Sequence, residues 1–147
     1  MSGPVFVDTN VLVYARDAAV PEKQDAAATW MERLWTEGTG RLSHQVLQEF
    51  YVTVTRKLRP GLDAAGAREE VRALLAWDPV PVHESVIEGA WRLEDQYALS
   101  WWDALIVAAA EVAECPYLLT EDLQAGQRLG RVTVVNPFHT SAADALP

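Results

Sequence analysis

The sequence is poor in the side chains that most often carry redox or acid–base chemistry. It contains one cysteine, Cys115, and three histidines, His44, His83 and His139, in 147 residues. A single thiol cannot form an internal disulfide and is typical of a protein in a reducing compartment. We interpret Cys115 as a small buried side chain. Because the three histidines lack metal-ligand spacing, we expect no histidine-based metal site.

The sequence also lacks a long apolar run. No run reaches the roughly 18 residues that a membrane-spanning helix needs. The longest extends from Ala104 to Ala110 and is interrupted at Glu111. No basic segment precedes the first apolar run, as a secretory signal would require. We therefore expect a cytoplasmic protein that makes no membrane contact.

Positive charge is scarce as well, with 12 Lys and Arg against 21 Asp and Glu, giving a net charge of −9. Nucleic-acid phosphates attract positive potential, so this charge argues against a nucleic-acid partner. The objection weakens if several carboxylates hold a divalent cation, since the ion reverses the local field. Half of the residues are hydrophobic, enough for a core in one domain spanning 1–147. We expect residues 139–147 to form a flexible tail.

Short apolar runs alternate with amphipathic helical patterns along the chain. Five strands are predicted, at Val5–Val7, Pro79–Val82, Tyr117–Leu119 and Val132–Val135, with a short second strand that ends at Leu42–Ser43. Helices are predicted between them, at 22–37, 46–58, 84–97 and 101–113, with one capped by Asp63 and a short one after Asp122. This alternation predicts an α/β fold with a parallel sheet that is covered on both faces.

Four carboxylates lie where an open parallel sheet places its site, beyond the carboxyl ends of the strands. Asp8 directly follows the first strand, and Asp122 comes soon after the fourth. Glu49 lies in the helix after the second strand, and Asp103 begins a nearly all-apolar helix. An ionised carboxylate in such surroundings is costly unless it is paired or metal-bound. As alternatives, Asp103 could serve its helix N-terminus and Asp122 could cap a short helix.

The motifs around these carboxylates resemble those of PIN domains, and the match is closest to the VapC-type toxins of bacterial toxin–antitoxin pairs. The matching segments are Asp8-Thr9-Asn10, Ser43-x-Gln45-x-x-x-Glu49, Trp102-Asp103-Ala104-Leu105-Ile106 and Thr120-Glu121-Asp122. The resemblance implies a three-layer α/β/α sandwich with a central parallel sheet of about five strands. It also implies cleavage of RNA that depends on Mg²⁺ or Mn²⁺.

The resemblance assigns roles by position. Four residues match the catalytic acidic cluster of the family: Asp8, Glu49, Asp103 and Asp122. Three of them would hold the metal ion: Asp8, Asp103 and Asp122. Glu49 and Glu121 are further candidates for the metal, and Glu121 competes with Asp122 for the fourth position. Three polar side chains would support the cluster through hydrogen bonds: Thr9, Asn10 and Thr120.

A divalent cation suits hydrolysis of a phosphodiester, because it neutralises the phosphate and lowers the pKa of a bound water. We expect products with a 5′-phosphate and a 3′-hydroxyl. The expected partners are the RNA substrate, a cognate antitoxin and a second copy of this chain. For the second copy, Trp30 and Leu34 are candidate exposed contacts. Arg16 and Lys23 are candidates for phosphate contact.

Other functions remain open on the sequence alone. Phosphohydrolases and phospho-acceptor domains also place an aspartate after the first strand of a parallel sheet. A haloacid-type phosphohydrolase would need a second aspartate where Asn10 stands, and a phospho-acceptor would need a lysine after Lys57. The remaining alternative is a PIN-like module that binds RNA or protein without cutting RNA. The presence of all four acidic residues argues against this alternative.

Overall fold

The computed structural model describes residues 1–147. Its centre is a five-stranded sheet with the strand order β2-β1-β3-β5-β4. The strands are β1 (Val5–Val7), β2 (Gly40–Arg41), β3 (Tyr117–Leu119), β4 (Arg128–Leu129) and β5 (Val132–Val135). Neighbouring strands pair in parallel except for β4, which pairs antiparallel with β5. The predicted α/β fold with a sheet of about five strands is confirmed, and one edge is antiparallel.

Seven α-helices surround the sheet: α1 (Thr9–Tyr14), α2 (Pro21–Glu37), α3 (His44–Val52), α4 (Ala64–Leu74), α5 (Glu84–Gln96), α6 (Trp101–Val112) and α7 (Ala142–Ala145). A π-helical turn at Thr53–Lys57 continues α3, and a 3₁₀ turn at Leu75–Trp77 continues α4. No helix is long and apolar enough to cross a membrane.

The core is formed by continuous apolar runs rather than by alternating ones. All three residues of β1 are fully buried, as expected for a parallel strand covered on both faces. In α6, every residue from Ala104 to Ala110 is buried. The small side chains of this helix allow α5 to pack closely, and a Cβ at Gly89 of α5 would stand 3.4 Å from Ala108 Cβ. The helix that carries Asp103 is therefore firmly anchored.

Two predicted elements are wrong, and one observed helix was not predicted. Pro79–Val82 forms no strand, because it makes only one bridge, between Val80 and Ser43. Both of its prolines lack the N–H that a sheet ladder needs. The segment after Asp122 contains no helix and leads through bends and turns into β4. The short helix α1, directly after β1, was not predicted.

The segment 139–147 packs against the body of the protein, contrary to the expectation of a flexible tail. Ala145 and Leu146 are buried, and α7 lies within this segment. The indole N–H of Trp30 donates to the Thr140 carbonyl at 3.1 Å. The amino group of Met1 donates to the Ala145 carbonyl at 3.0 Å. Polar and apolar contacts together hold the segment in place.

The expected contacts of a second copy need revision. Trp30 and Leu34 are 1% and 0% exposed, so neither is a surface contact for a second copy. They lie on the inner face of α2. Trp102 is instead 63% exposed, whereas Trp101 packs against Trp91 with 6.5 Å between ring centroids.

Cys115 is buried in the link between α6 and β3, as its interpretation as a small core residue predicted. Its backbone N–H donates to the Ala110 carbonyl at 2.9 Å, which closes the end of α6. Burial raises the pKa of the thiol to about 12, so it stays protonated at neutral pH.

Candidate active site

Parallel pairing of β1 with β3 brings two of the predicted motifs together. Val7 lies opposite Leu119, so the residues that follow these strands emerge side by side. The backbone N–H of Asp8 donates to the Leu119 carbonyl at 3.0 Å, which extends the pairing to the first site residue. Thr120 follows Leu119 directly and is fully buried. The site thus forms at the carboxyl edge of the sheet.

Asp8 is the centre of a hydrogen-bond network although it is only 6% exposed. Its Oδ1 accepts a hydrogen bond from the Thr9 N–H at 2.7 Å, and this bond caps α1. Its Oδ2 accepts from the Thr120 hydroxyl at 2.8 Å and from Asn10 Nδ2 at 3.3 Å. The start of α1, the residue that follows β3 and the side-chain amide of Asn10 together fix the orientation of this carboxylate.

Asn10 joins the loop after β1 to the loop after β3. Its Nδ2 donates to Thr120 Oγ1 at 2.9 Å and to Asp122 Oδ2 at 3.1 Å. Its Oδ1 accepts from the Glu121 N–H at 3.3 Å. The Asp122 N–H donates to Thr120 Oγ1 at 3.1 Å, so the Thr-Glu-Asp segment is held at each residue.

Glu49 enters the cluster from α3, which begins after its cap Ser43. The Thr9 hydroxyl donates to Glu49 Oε2 at 2.8 Å. Gln45 Nε2 donates to Oε1 at 3.0 Å from one helical turn earlier. Both oxygens of Glu49 therefore have a fixed donor. The i to i+4 spacing of Gln45 and Glu49 is a sequence signal for this contact.

Asp103 joins the others through charge rather than through hydrogen bonds. It lies in the first turn of α6, where its N–H donates to the hydroxyl of the cap Ser100 at 3.1 Å. Burial raises the pKa of its carboxyl, and the charges of Asp122 and Glu49 raise it further against the Ser100 hydrogen bond. The Asp103 carboxylate therefore interacts with Asp122 and Glu49 through charge and not through hydrogen bonds.

Burial and repulsion also act on Asp8. Burial raises the pKa of Asp8 to about 7, opposed by the hydrogen bonds from Thr120 and Thr9. The negative charges of Asp122 and Glu49 add smaller upward contributions. A cation beside Asp8 would relieve both the desolvation and the repulsion. The electrostatics of the cluster thus favour a positively charged ligand.

The donor set fits a hard divalent cation, because all its ligands would be oxygens. No three His, Cys, Asp or Glu side chains in the structure are arranged to hold one ion together. The amide of Asn10 bridges Asp8 and Asp122 instead. Mg²⁺ usually keeps several of its waters, so one or two carboxylates per ion are enough. The carboxylates of Asp8 and Asp122 are enough to meet this need for one or two carboxylates.

The structure separates the two rivals for the fourth acidic position. Glu121 binds Lys23, with 2.7 Å between Oε2 and Nζ, while Asp122 bonds to Asn10. Of the two side chains, that of Asp122 is therefore the one that bonds within the cluster. Sequence reasoning missed this use of Lys23, and no local pattern signals it, because the partners are 98 positions apart. Arg16, the other candidate for phosphate contact, pairs with Glu70.

A comparison with models of protein families matches residues 5–130 to the PIN domain. The chain belongs to the PIN domain family. The match includes all four predicted acidic positions of this PIN domain. A search of curated proteins finds no match.

Solved structures with the same fold include components of toxin–antitoxin complexes. A toxin–antitoxin complex from Klebsiella pneumoniae matches with 19% identity and a TM-score of 0.62, covering 90% of this chain and 97% of that one. FitAcB from Neisseria gonorrhoeae matches with 19% identity and a TM-score of 0.63, covering 92% and 99%. VapC20 from Mycobacterium tuberculosis, described as a sarcin–ricin loop cleaving toxin, matches with 24% identity and a TM-score of 0.58, covering 78% and 86%. At these identities the likeness to this PIN domain concerns the fold.

Proposed function

We propose that this protein is a Mg²⁺- or Mn²⁺-dependent endoribonuclease and the toxin of a type II toxin–antitoxin pair. The observation that carries the proposal is the buried Asp8 carboxylate, whose pKa is raised to about 7 among further acidic side chains. Nucleases of the PIN family generally use divalent metal ions. An acidic site at a sheet edge can accept an anionic phosphodiester only when a cation offsets its charge.

The proposed roles follow from the contacts. The cation would lie among three carboxylates, Asp8, Asp103 and Asp122, with one or two of them binding it directly and its bound waters reaching the others. When bound, the cation would supply positive charge that offsets the phosphodiester and would lower the pKa of a bound water toward neutral. The Thr120 hydroxyl and the Thr9 N–H keep Asp8 oriented, and Asn10 does the same for Asp122.

Glu49 is proposed to act as a proton acceptor in the cluster. Gln45 and Thr9 fix its two oxygens, so its carboxylate is a pre-oriented hydrogen-bond acceptor. Such an acceptor can hold a proton from an attacking water while the phosphodiester bond breaks. We propose Glu49 for this role because its negative charge also raises the pKa of both Asp8 and Asp103.

We further propose an antitoxin as the protein partner, since the similar solved structures include toxin–antitoxin complexes. An apolar groove of about 340 Å³ lies between α1, α2, α3 and α4 and gives such a partner a surface to bind. Trp35, 48% exposed, and Met31 line it beside Phe50. The homodimer remains a prediction, without Trp30 and Leu34 as its contacts.

The test is RNA cleavage by the purified protein with Mg²⁺, with Mn²⁺ and with EDTA, mapped by sequencing of the RNA ends. We expect cleavage with either metal and none with EDTA, giving products that carry a 5′-phosphate. Asp8→Asn and Asp103→Asn should each slow cleavage by roughly 100-fold or more. Asp95→Asn is the matched control, because Asp95 is exposed on α5.

Two results would decide against the proposal. Equal cleavage rates for Asp8→Asn and the wild type in Mg²⁺ would remove Asp8 from the reaction. If Mn²⁺ raised the melting temperature but no RNA were cut, the protein would be a binding module with the fold of a nuclease.

A further inference from the structure

One ammonium group reaches the loop that carries Asp122, and it comes from a helix outside the acidic cluster. Lys23 lies in the first turn of α2, and its Nζ donates to Glu121 Oε2 at 2.7 Å and to the Tyr14 hydroxyl at 3.4 Å. The ammonium also lies 4.7 Å from the ring centroid of Tyr14 and 5.0 Å from that of Phe138. These contacts hold the ammonium at one place.

The aromatic pair around Lys23 is a fixed part of the fold. Tyr14 ends α1, and its ring meets the ring of Phe138 edge to face, with 5.1 Å between centroids and 79° between planes. Attraction between a cation and two aromatic faces adds to the ion pair. The contacts of Lys23 therefore connect α1 and α2 with the loop after β3.

Glu121 is held from two sides. Its N–H donates to Asn10 Oδ1, and its carboxylate binds Lys23. Its neighbours Thr120 and Asp122 both bond into the cluster through their side chains. Glu121 is thus the one residue of the Thr-Glu-Asp segment whose side chain bonds outside the cluster.

We propose that Lys23 is a positioning residue for the acidic cluster: its ammonium binds Glu121, holds the loop that presents Asp122 and keeps the Glu121 carboxylate away from the cation. The inference rests on the proposed function, because it concerns the cation that this cluster binds. It gives the adjacent carboxylates at 121 and 122 different roles, because the first pairs with Lys23 and the second bonds to Asn10.

The charges of the pair give this role a measurable signature. The side chains of Lys23 and Glu121 are 36% and 22% exposed, and ion pairs that water reaches contribute little to stability. Their charges cancel beside the cluster. Removal of Lys23 alone leaves one extra negative charge there, whereas removal of the Glu121 charge leaves one extra positive charge.

The experiment is a calorimetric titration of the metal-free, full-length protein with Mn²⁺ alone. Lys23→Met is expected to raise the affinity for Mn²⁺ roughly threefold, because Glu121 is then unpaired beside the cluster. Glu121→Gln is expected to lower the affinity by roughly the same factor, because the ammonium is then unpaired. The double variant should return close to the wild-type affinity.

Cleavage measurements complete the test. At saturating Mn²⁺, Lys23→Met should lower kcat roughly tenfold with little change in KM, because the freed Glu121 carboxylate then competes with Asp122 for the cation and misplaces it. Lys23→Arg should restore most of the rate. Lys57→Met is the matched control, since Lys57 is the only other lysine and is exposed after α3.

The outcomes separate this inference from the proposed function. If both single variants shift the Mn²⁺ affinity in the same direction, or neither shifts it more than Lys57→Met, the positioning role is overturned. If the wild type itself binds no Mn²⁺ and cuts no RNA, the proposed function fails and takes this inference with it. Opposite shifts that cancel in the double variant support the role of Lys23.

Discussion

Asp8 combines features that rarely occur together in one side chain. It caps a helix, accepts three hydrogen bonds and is 6% exposed, yet it lies among other carboxylates. The hydrogen bonds favour its charged form, whereas burial opposes that form and has the larger effect. Without a cation, and between about pH 4 and 7, the folded protein therefore retains a proton at Asp8 that the unfolded chain releases.

This retained proton predicts a dependence of stability on pH. The folded-state pKa of Asp8 is about 7, against an ordinary value of 3.8. The contribution of this group to the free energy of unfolding is therefore fully present below pH 4 and is lost as the pH rises to 7, by roughly a few kcal/mol. Urea unfolding in EDTA at pH 5, 6, 7 and 8 measures this loss.

Asp8→Asn supplies the control, because asparagine does not titrate. The wild type should lose stability relative to Asp8→Asn as the pH rises, and Mn²⁺ should restore stability to the wild type alone. A difference between the two proteins that stays constant from pH 5 to pH 8 would contradict the raised pKa.

At the level of the elements, helix caps place two of the acidic residues. Asp8 caps α1 with its own carboxylate, and Ser100 caps α6 with its hydroxyl on the N–H of Asp103. Ser141 and Asp144 repeat the Ser-x-x-Asp pattern at the start of α7, where the hydroxyl accepts from the Asp144 N–H at 3.2 Å. The chain thus contains the same cap once at the site and once far along the sequence.

Replacing the cap of α6 should affect both stability and activity. Ser100→Ala is expected to lower the free energy of unfolding by about 1 kcal/mol, because the Asp103 N–H loses its acceptor. It should also slow RNA cleavage, since the first turn of α6 presents Asp103. Thermal unfolding and a cleavage assay measure the two effects. Ser141→Ala should cost similar stability while leaving the cleavage rate unchanged, and equal cleavage by both variants would disprove the link.

Local sequence patterns predicted the helices and strands whose structure depends mainly on their own residues. The apolar run Val5–Val7 and the apolar helix α6 are both buried at the predicted positions. The two-residue strand β4 was not predicted, because its pairing depends on β5 and a turn rather than on its own composition. Pro79–Val82 has strand-like residues, but its prolines limit it to a single bridge.

The site likewise contains residues that the local sequence predicts and contacts that depend on distant parts of the chain. The sequence order places an acidic residue after β1 and after β3, so these positions could be predicted from the strands. The contact between Lys23 and Glu121 could not, because it depends on how α2 lies against the loop after β3. The hydrogen bond from the Trp30 indole to the Thr140 carbonyl is likewise a distant contact that no periodicity shows.

At the level of the whole molecule, the packed C-terminal segment predicts a loss of stability on truncation. Deleting residues 139–147 removes the burial of Leu146 and the acceptor of the Trp30 indole, and should cost roughly 2–4 kcal/mol. Urea unfolding measures the loss. Removal of Pro147 alone, which is exposed, should have no effect. Equal stability of the shortened and full chains would mean that the segment contributes nothing to the fold.

Cys115 gives this molecule an internal reporter of local opening. The thiol is buried and protonated, so a thiol-specific reagent can react only when the link between α6 and β3 separates from the core. The same link connects the helix that carries Asp103 with the strand that leads to Thr120. The rate of thiol labelling therefore measures how often the link between α6 and β3 opens. No added probe is needed.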